Sequence, residues 1–341
     1  MKPVLRATTP DDAGRLTAFL RRAFDAGPDA PFLDPALMAW KYWDRRDDWP
    51  EARSYVLERE GAIVSHVGIW PVILGTVRGA SMLDWASAKD SPGSGLTLLQ
   101  KLAGKFDFLY SSGGSEMTRK VLPAFGFVEH ARAWRAARPL RPLSQMLSHQ
   151  FRNWKLAPRL ARNWLWSMQP AARPATGWAS EEIAAEEVSS ALFSEDLAEA
   201  RLIPRPAAFF DYLRRCPGVP CRVWRMQGAG ATQGYYALGV LHGQARIGGV
   251  WLRNPVHDHW RAAYSLAQQT AAQLADACEI AAVGTEGVSA EAAVEAGLRI
   301  RETRPVFLMT RKGGPSLRRD FEFQLADDDG IFLDVGDFYW T

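Results

Sequence analysis

A chain of 341 residues is long for one compact domain and comfortable for two. Its 47% hydrophobic and 23% charged residues are those of a soluble globular protein with a full core, and a net charge of +3 implies no polyanionic partner such as DNA. Cys216, Cys221 and Cys278 are too few and too scattered for a disulfide framework or a zinc site. The start, Met1-Lys2-Pro3-Val4-Leu5-Arg6, has no apolar signal core, and no run of about 18 apolar residues occurs, so a protein of the reducing cytoplasm is expected.

In chain order, residues 4–6 read as a short strand. Thr9-Pro10-Asp11-Asp12 reads as a helix start, with a capping threonine, a first-turn proline and two aspartates at the positive end of the dipole. Leu16, Phe19, Leu20 and Phe24 follow at helical spacing. A second helix fits 35–43, and strands 53–58 and 63–74 meet at the turn Glu60-Gly61.

The stretch 81–127 organises the rest. It predicts a strand (81–88), the turn Asp90-Ser91-Pro92-Gly93-Ser94-Gly95, a helix (96–104) and a second strand (106–111). The pair Gly113-Gly114 and a helix ending in Pro123-Ala124-Phe125-Gly126-Phe127 complete it. A strand, a glycine turn and a helix together offer bare backbone N–H groups and a positive helix end to a phosphate. Glycine also serves such turns for plain geometric reasons, so the order of all five pieces carries the signal.

That order resembles the acyl-CoA-dependent N-acyltransferases of the GNAT (GCN5-related N-acetyltransferase) superfamily. The resemblance implies an α/β fold with a mixed, mostly antiparallel sheet flanked by helices. It further implies that acetyl-CoA or another acyl-CoA binds along Trp85, Ala86 and Ser87 and at Gly93, Ser94 and Gly95. Asp90 stands where the family usually has Gln or Arg, and Leu122 where a tyrosine is frequent. In that fold the first two helices carry acceptor contacts, so Trp40, Tyr42 and Trp43 line either an acceptor pocket or the core, and the core is expected.

Between His130 and Ser180 no Asp or Glu occurs, while nine Lys or Arg residues are interleaved with Trp134, Trp154, Trp164, Trp166 and Trp178. Residues 131–140 should close the first domain as a strand, 148–168 form a helix and 170–177 a linker. Such a helix could meet tRNA or an anionic membrane surface. The expected reading is an interdomain helix with its tryptophans inward and its arginines solvated or set against the acidic C-terminus.

The second half repeats the first in weaker form. Strands are predicted at 222–226, 234–242 and 245–253, then a helix (260–277), a strand (280–284), a helix (290–296) before Gly297-Leu298, and a strand (304–311). The phosphate turn is missing: no glycine lies between Leu252 and His259. We therefore expect a GNAT-like acyl-CoA-binding domain (1–140), a basic helical linker (141–180) and a degenerate GNAT-like domain (181–341). The last would shape the acceptor site or a homodimer. The acidic end (Asp327, Asp328, Asp329, Asp334, Asp337), with Phe332, Phe338, Tyr339 and Trp340, is too aromatic for simple disorder and should pack back.

Acyl transfer to an amine requires removal of a proton and polarisation of the thioester carbonyl. Asp84 is the acid on the central predicted strand, and Glu116, with Ser115, starts the helix after Gly113-Gly114; these three are the catalytic candidates. Ser115 is equally explained as an N-cap and Glu116 as first-turn charge. His66 reads as a structural strand histidine, Arg119 and Lys120 as solvated, and His257-Asp258-His259 lacks a third metal ligand. No Walker-type Lys-Ser/Thr follows Gly95, which argues against nucleotide hydrolysis. The expected function is acyl-CoA-dependent N-acyl transfer to a small-molecule or peptide amine by direct attack on the thioester. The alternatives are FemABX-like transfer from aminoacyl-tRNA, with the basic 152–162 segment as the contact, and a GNAT-fold binding protein without catalysis.

Overall fold

The computed structural model describes residues 2–148, 156–193, 201–314, 317–318, 321–332 and 339–341. Trp154, Asp334, Asp337 and Phe338, named above, lie outside the described residues, as do Arg152 and Lys155 of the basic segment 152–162. The first half runs β1 (Val4–Ala7), α1 (Ala13–Phe24), α2 (Pro35–Tyr42), β2 (Ser54–Arg59), β3 (Ala62–Leu74), β4 (Val77–Ser87), α3 (Ser94–Ala103), β5 (Phe108–Ser111), α4 (Glu116–Val121) and β6 (Val128–Pro139). Helices α5 (Pro142–Ser148) and α6 (Leu156–Ser167) connect the halves. The second half runs β7 (Ala179–Ile183), α7 (Ala207–Arg214), β8 (Arg222–Gly228), β9 (Ala231–Leu241), β10 (Gln244–Leu252), α8 (His257–Gln273), β11 (Glu279–Thr285), α9 (Val288–Glu295) and β12 (Arg299–Thr310).

Among the described residues the twelve strands form one sheet in the order β1-β2-β3-β4-β5-β12-β6-β11-β10-β9-β8-β7. That order reads the same from either end when the halves are interchanged. The two sheets expected from the sequence are thus fused, and the fusion is made by exchange. β12 enters beside β5, with Phe307 opposite Ser111, and β6 lies beside β11, with Trp134 opposite Gly284. Residues 131–139 do form part of a strand, but it does not close the first half as expected: β6 lies between β12 and β11, both from the second half, and it is β12 that sits beside β5. Among the described strands β4·β5 and β10·β11 are the parallel pairs, each joined by a crossover helix, as parallel neighbours require.

Apolar faces of the helices cover the sheet. Leu98, Leu99 and Leu102 of α3 pack on Leu57, Val67 and Leu109, and Ala263, Ala267 and Ala271 of α8 on Ile247, Val250 and Ile280. At the centre Trp40 of α2 stacks on Tyr212 of α7 at 4.5 Å and donates its indole N–H to the Tyr212 carbonyl. Trp40, Tyr42 and Trp43 are therefore core, as expected: the first two are buried, and the Trp43 indole donates to Thr8 Oγ1 at 2.9 Å. Residues 321–332 thread through this centre, carrying the buried ion pair Arg205–Asp327 at 2.8 Å.

Candidate active site

Strands β4 and β5 pair only over residues 79–81 and 108–110, after which β4 continues to Ser87 without β5 beside it. The strands diverge there and leave a wedge. Inside it β4 bulges: His66 faces Ala86 and Gly68 faces Leu83, so Asp84 and Trp85 share Val67. Asp84 takes the left-handed conformation, φ +46°, which aspartate tolerates better than most residues. A bulge of this kind re-aims a side chain, and here it sends the Asp84 carboxylate towards α2.

The carboxylate accepts from Lys41 Nζ at 2.5 Å and from the Tyr42 hydroxyl, and Lys41 lies 3.3 Å from Asp329 on the C-terminal segment. His66 bridges Ser54 Oγ (3.0 Å) and the Asp84 carbonyl (3.1 Å). Burial alone would lower the Lys41 pKa, but the two carboxylates outweigh it and hold the ammonium above its ordinary range. Burial would raise Asp84, yet the charge and hydrogen bond of Lys41 and the Tyr42 hydroxyl keep it below the usual carboxylate value. Asp329 goes the other way: burial, reinforced by the charges of Asp84 and Asp328 against the pull of Lys41, pushes it up to about 7. His66 is driven by burial down to about 4 and stays neutral, the structural residue expected. Two carboxylates sharing one lysine are thus split, Asp84 ionised and Asp329 poised near neutrality. Asp84 anchors Lys41 and Tyr42, an arrangement that accounts for its place on the strand without a catalytic role. Asp329 was read only as part of an acidic end, since nothing local marks which aspartate returns to the sheet.

The turn after β4 is held by Ser91 N on the Ala88 carbonyl (3.0 Å), Ser94 N on the Ser91 carbonyl (3.2 Å) and Ser94 Oγ on the Val64 carbonyl (2.9 Å). Gly93 has φ +80°, and no atom lies within 4 Å of the place a Cβ would occupy. Gly95 differs. A Cβ there would run into Ser87 Oγ and come within 3.2 Å of Trp85 Nε1, and the Trp85 indole donates to the Gly95 carbonyl at 3.2 Å. One glycine is open and the other lets α3 close on β4. Trp85 and Ser87 share a face against that helix, whereas the Ala86 carbonyl accepts from Ser65 Oγ at 2.7 Å on the β3 side, so Ala86 is not turned to the wedge as expected. A cavity of about 410 Å³ opens beside the turn, with Arg22, Arg59, Lys89, Asp90 and Ser91 around an apolar floor of Phe19 and Ile63. Arg59 reaches Ser91 Oγ at 2.7 Å.

Ser115 and Glu116 are not in this assembly. Ser115 Oγ accepts from Thr118 N at 3.1 Å as the N-cap of α4, and Glu116 pairs with Lys120 at 2.7 Å on the exposed face. Their catalytic assignment gives way to the capping explanation, and Lys120 is ion-paired as well as solvated.

The second half holds the same wedge, closed. β10 and β11 pair over 244–247 and 279–282, and the β9 register skips Gly248 as a bulge. The segment 321–332 fills the gap. Gln324 accepts from Val250 N at 2.6 Å and donates to the Val250 carbonyl at 3.1 Å, while Phe323 N donates to Thr285 Oγ1 at 2.8 Å. Glu322 accepts from Thr285 N and Ser289 Oγ, both at 2.8 Å, and burial pushes it up to about 8. Ile331 packs where a side chain on Gly248 would stand.

The fold is the GNAT fold in its tandem form. No family model and no curated protein sequence matches the chain. Among solved structures, a GCN5-related N-acetyltransferase from Anabaena variabilis is 12% identical, with a TM-score of 0.56 over 90% of this chain and 72% of its own. One from Kribbella flavida is also 12% identical, with a TM-score of 0.54 over 90% and 72%. A tandem GNAT protein from the clavulanic acid biosynthesis pathway, solved without acetyl-CoA, is 13% identical with a TM-score of 0.51, over 92% of this chain and all of its own.

Proposed function

We propose that this protein is an acyl-CoA-dependent N-acyltransferase with one donor site, in the first half. The observation that carries the reading is the contrast between the wedges. In the second, an amide supplied by Gln324 pairs with both backbone groups of Val250. In the first, the corresponding edge at Trp85 and Ser87 leads to the open corner at Gly93, and the turn just before that corner, on its β3 side, lines a cavity rimmed by Arg22, Arg59, Lys89 and Asp90. An edge that pairs with an extended amide suits pantetheine, and a glycine corner suits a diphosphate.

An acyl-CoA supplies an acyl carbon already activated as a thioester. Trp85 and Ser87 would hold the pantetheine amides, and Gly93, Ser94, Arg59 and Lys89 the diphosphate. Asp329 would take the proton that the acceptor amine sheds as its nitrogen bonds to the acyl carbon; the carbon–sulfur bond then breaks and CoA leaves as a thiolate that takes a proton from water, and a group titrating near 7 is well matched to the first of these steps. Lys41 and Asp84 hold Asp329 in place. The acceptor is a small-molecule or peptide amine. Cys216, Cys221 and Cys278 are buried free thiols, as a reducing cytoplasm would maintain. A binding protein without catalysis is the second reading, favoured by the indole of Trp85 seated on the first turn of α3.

Calorimetric titration with acetyl-CoA and a thiol-release assay over an amine panel test this. The wild type should bind and release thiol. Asp329→Asn should keep binding, lose about 10²-fold or more in kcat, and lose the limb of the pH profile near 7. Absence of binding refutes the donor site. Binding without thiol release from any amine selects the second reading.

A further inference from the structure

Helix α6 is built inside out. Its inward side carries polar groups: Asn163, fully buried, donates to Gln145 Oε1 and Thr341 Oγ1, both at 3.1 Å, and Arg159 donates to the Tyr339 carbonyl at 2.6 Å. Its solvent side carries Ala157, Ala161, Trp164, Leu165 and, just past the helix, Met168, with no charge among them. Trp164 is 54% exposed, Leu165 63% and Met168 65%. A surface helix ordinarily has the opposite polarity, so this face is made for something other than water.

The surroundings say what. Arg299 lies across the ring of Trp166 at 4.2 Å, and Arg162 is pushed below its ordinary range by burial and then by the nearby charges of Arg301, Arg159 and Arg299. Arg159, Arg162, Arg299 and Arg301 thus lie near one another around α6, with Arg299 and Arg301 exposed on β12 and the buried Glu279 acting on Arg162 from the inner side. Two copies of this face brought together about a two-fold axis would set those cations against each other. An anionic lipid surface answers both features, taking Trp164, Leu165 and Met168 into its headgroup boundary and the arginines against its charge. No helix among the described residues is long and apolar enough to cross a membrane, so the contact is a peripheral one.

We propose that the outer face of α6 docks this protein on an anionic membrane surface. The test is cosedimentation of the full chain with phosphatidylcholine vesicles holding about 30% phosphatidylglycerol, against phosphatidylcholine alone, at low and high salt. The wild type should bind the anionic vesicles, release at high salt and ignore the neutral ones. Leu165→Glu should weaken binding about tenfold or more with an unchanged Tm, since the side chain stands in solvent, and Arg299→Ala should weaken it less. Leu165→Gln serves if the charged variant misfolds. Failure to sediment with anionic vesicles overturns the proposal, as does binding that Leu165→Glu leaves intact. A concentration-dependent dimer in sedimentation velocity that Leu165→Glu abolishes would assign the face to a second copy and overturn it too. So would displacement from vesicles by RNA at equal charge.

Discussion

Replacing Gln324 by alanine tests whether the second wedge is closed by design. The side chain is buried and satisfies two backbone groups of β10, accepting at 2.6 Å from Val250 N and donating at 3.1 Å to its carbonyl. Each backbone group left buried without a partner costs about 1–3 kcal/mol. Water admitted to the vacated space would recover part of that, since the lining is polar. A net loss of about 3 kcal/mol is expected, read as a lowered urea midpoint at unchanged slope. Gln324→Glu supplies a control. Its carboxylate could still accept from Val250 N but would face the Val250 carbonyl without a proton, so it should be worse than alanine at pH 8 and better at pH 5. A loss below about 0.5 kcal/mol for the alanine variant would refute the reasoning, because it would mean that Val250 does not depend on Gln324.

Two further outcomes follow from groups nearby. Glu322 keeps its proton up to about 8 in the folded chain against an ordinary 4.5, so the folded state binds more protons than the unfolded one between those values. Its contribution to stability therefore falls as pH rises through that window, by an amount of order 4 kcal/mol, and Glu322→Gln should gain on the wild type between pH 5 and pH 8. Parallel pH slopes for the two proteins in urea unfolding would contradict this. Gly95→Ala should cost about 1–3 kcal/mol by forcing apart Ser87 and α3, a clash measurable as a fall in Tm. Gly93→Ala, strained only by its positive φ, should cost about 1 kcal/mol, and equal losses at the two sites would show that Gly95 is not the close-packed one.

Local features were legible from the sequence. Apolar runs and helical periodicity, bounded by turn residues, placed β2, β3, β5 and α2 to within a residue or two; β3 and β5 are buried on both faces and so read as nearly continuous apolar stretches. The helix expected over 148–168 contains α6, described from Leu156 to Ser167, while α5 (Pro142–Ser148) has no counterpart in the sequence reading. β7 and α7 went unread, the first being short and charged and the second hidden in an aromatic run, Phe209-Phe210-Asp211-Tyr212. Of the site, the turn and the strand before it were found, since glycine and alternation are local signals. The partners were not. Lys41 meets Asp84 across 43 positions and Asp329 across 288, and no pattern within a helix or strand records such a meeting. Gln324 likewise looks like any polar residue until β10 is beside it.

The exchange of β6 and β12 bears on how the molecule is made. Synthesis proceeds from the N-terminus, so β5 emerges long before Phe307 arrives to sit opposite Ser111. Until then the nascent first half carries a bare row of amides and carbonyls along its inner margin, the feature that invites pairing between wrong chains. Closing that margin needs contacts between distant parts of the chain, which form slowly. The hazard of misassembly is therefore greatest in the interval between ribosomal emergence of the two swapped strands, and a chaperone that shields that seam would matter more to yield than to the finished protein.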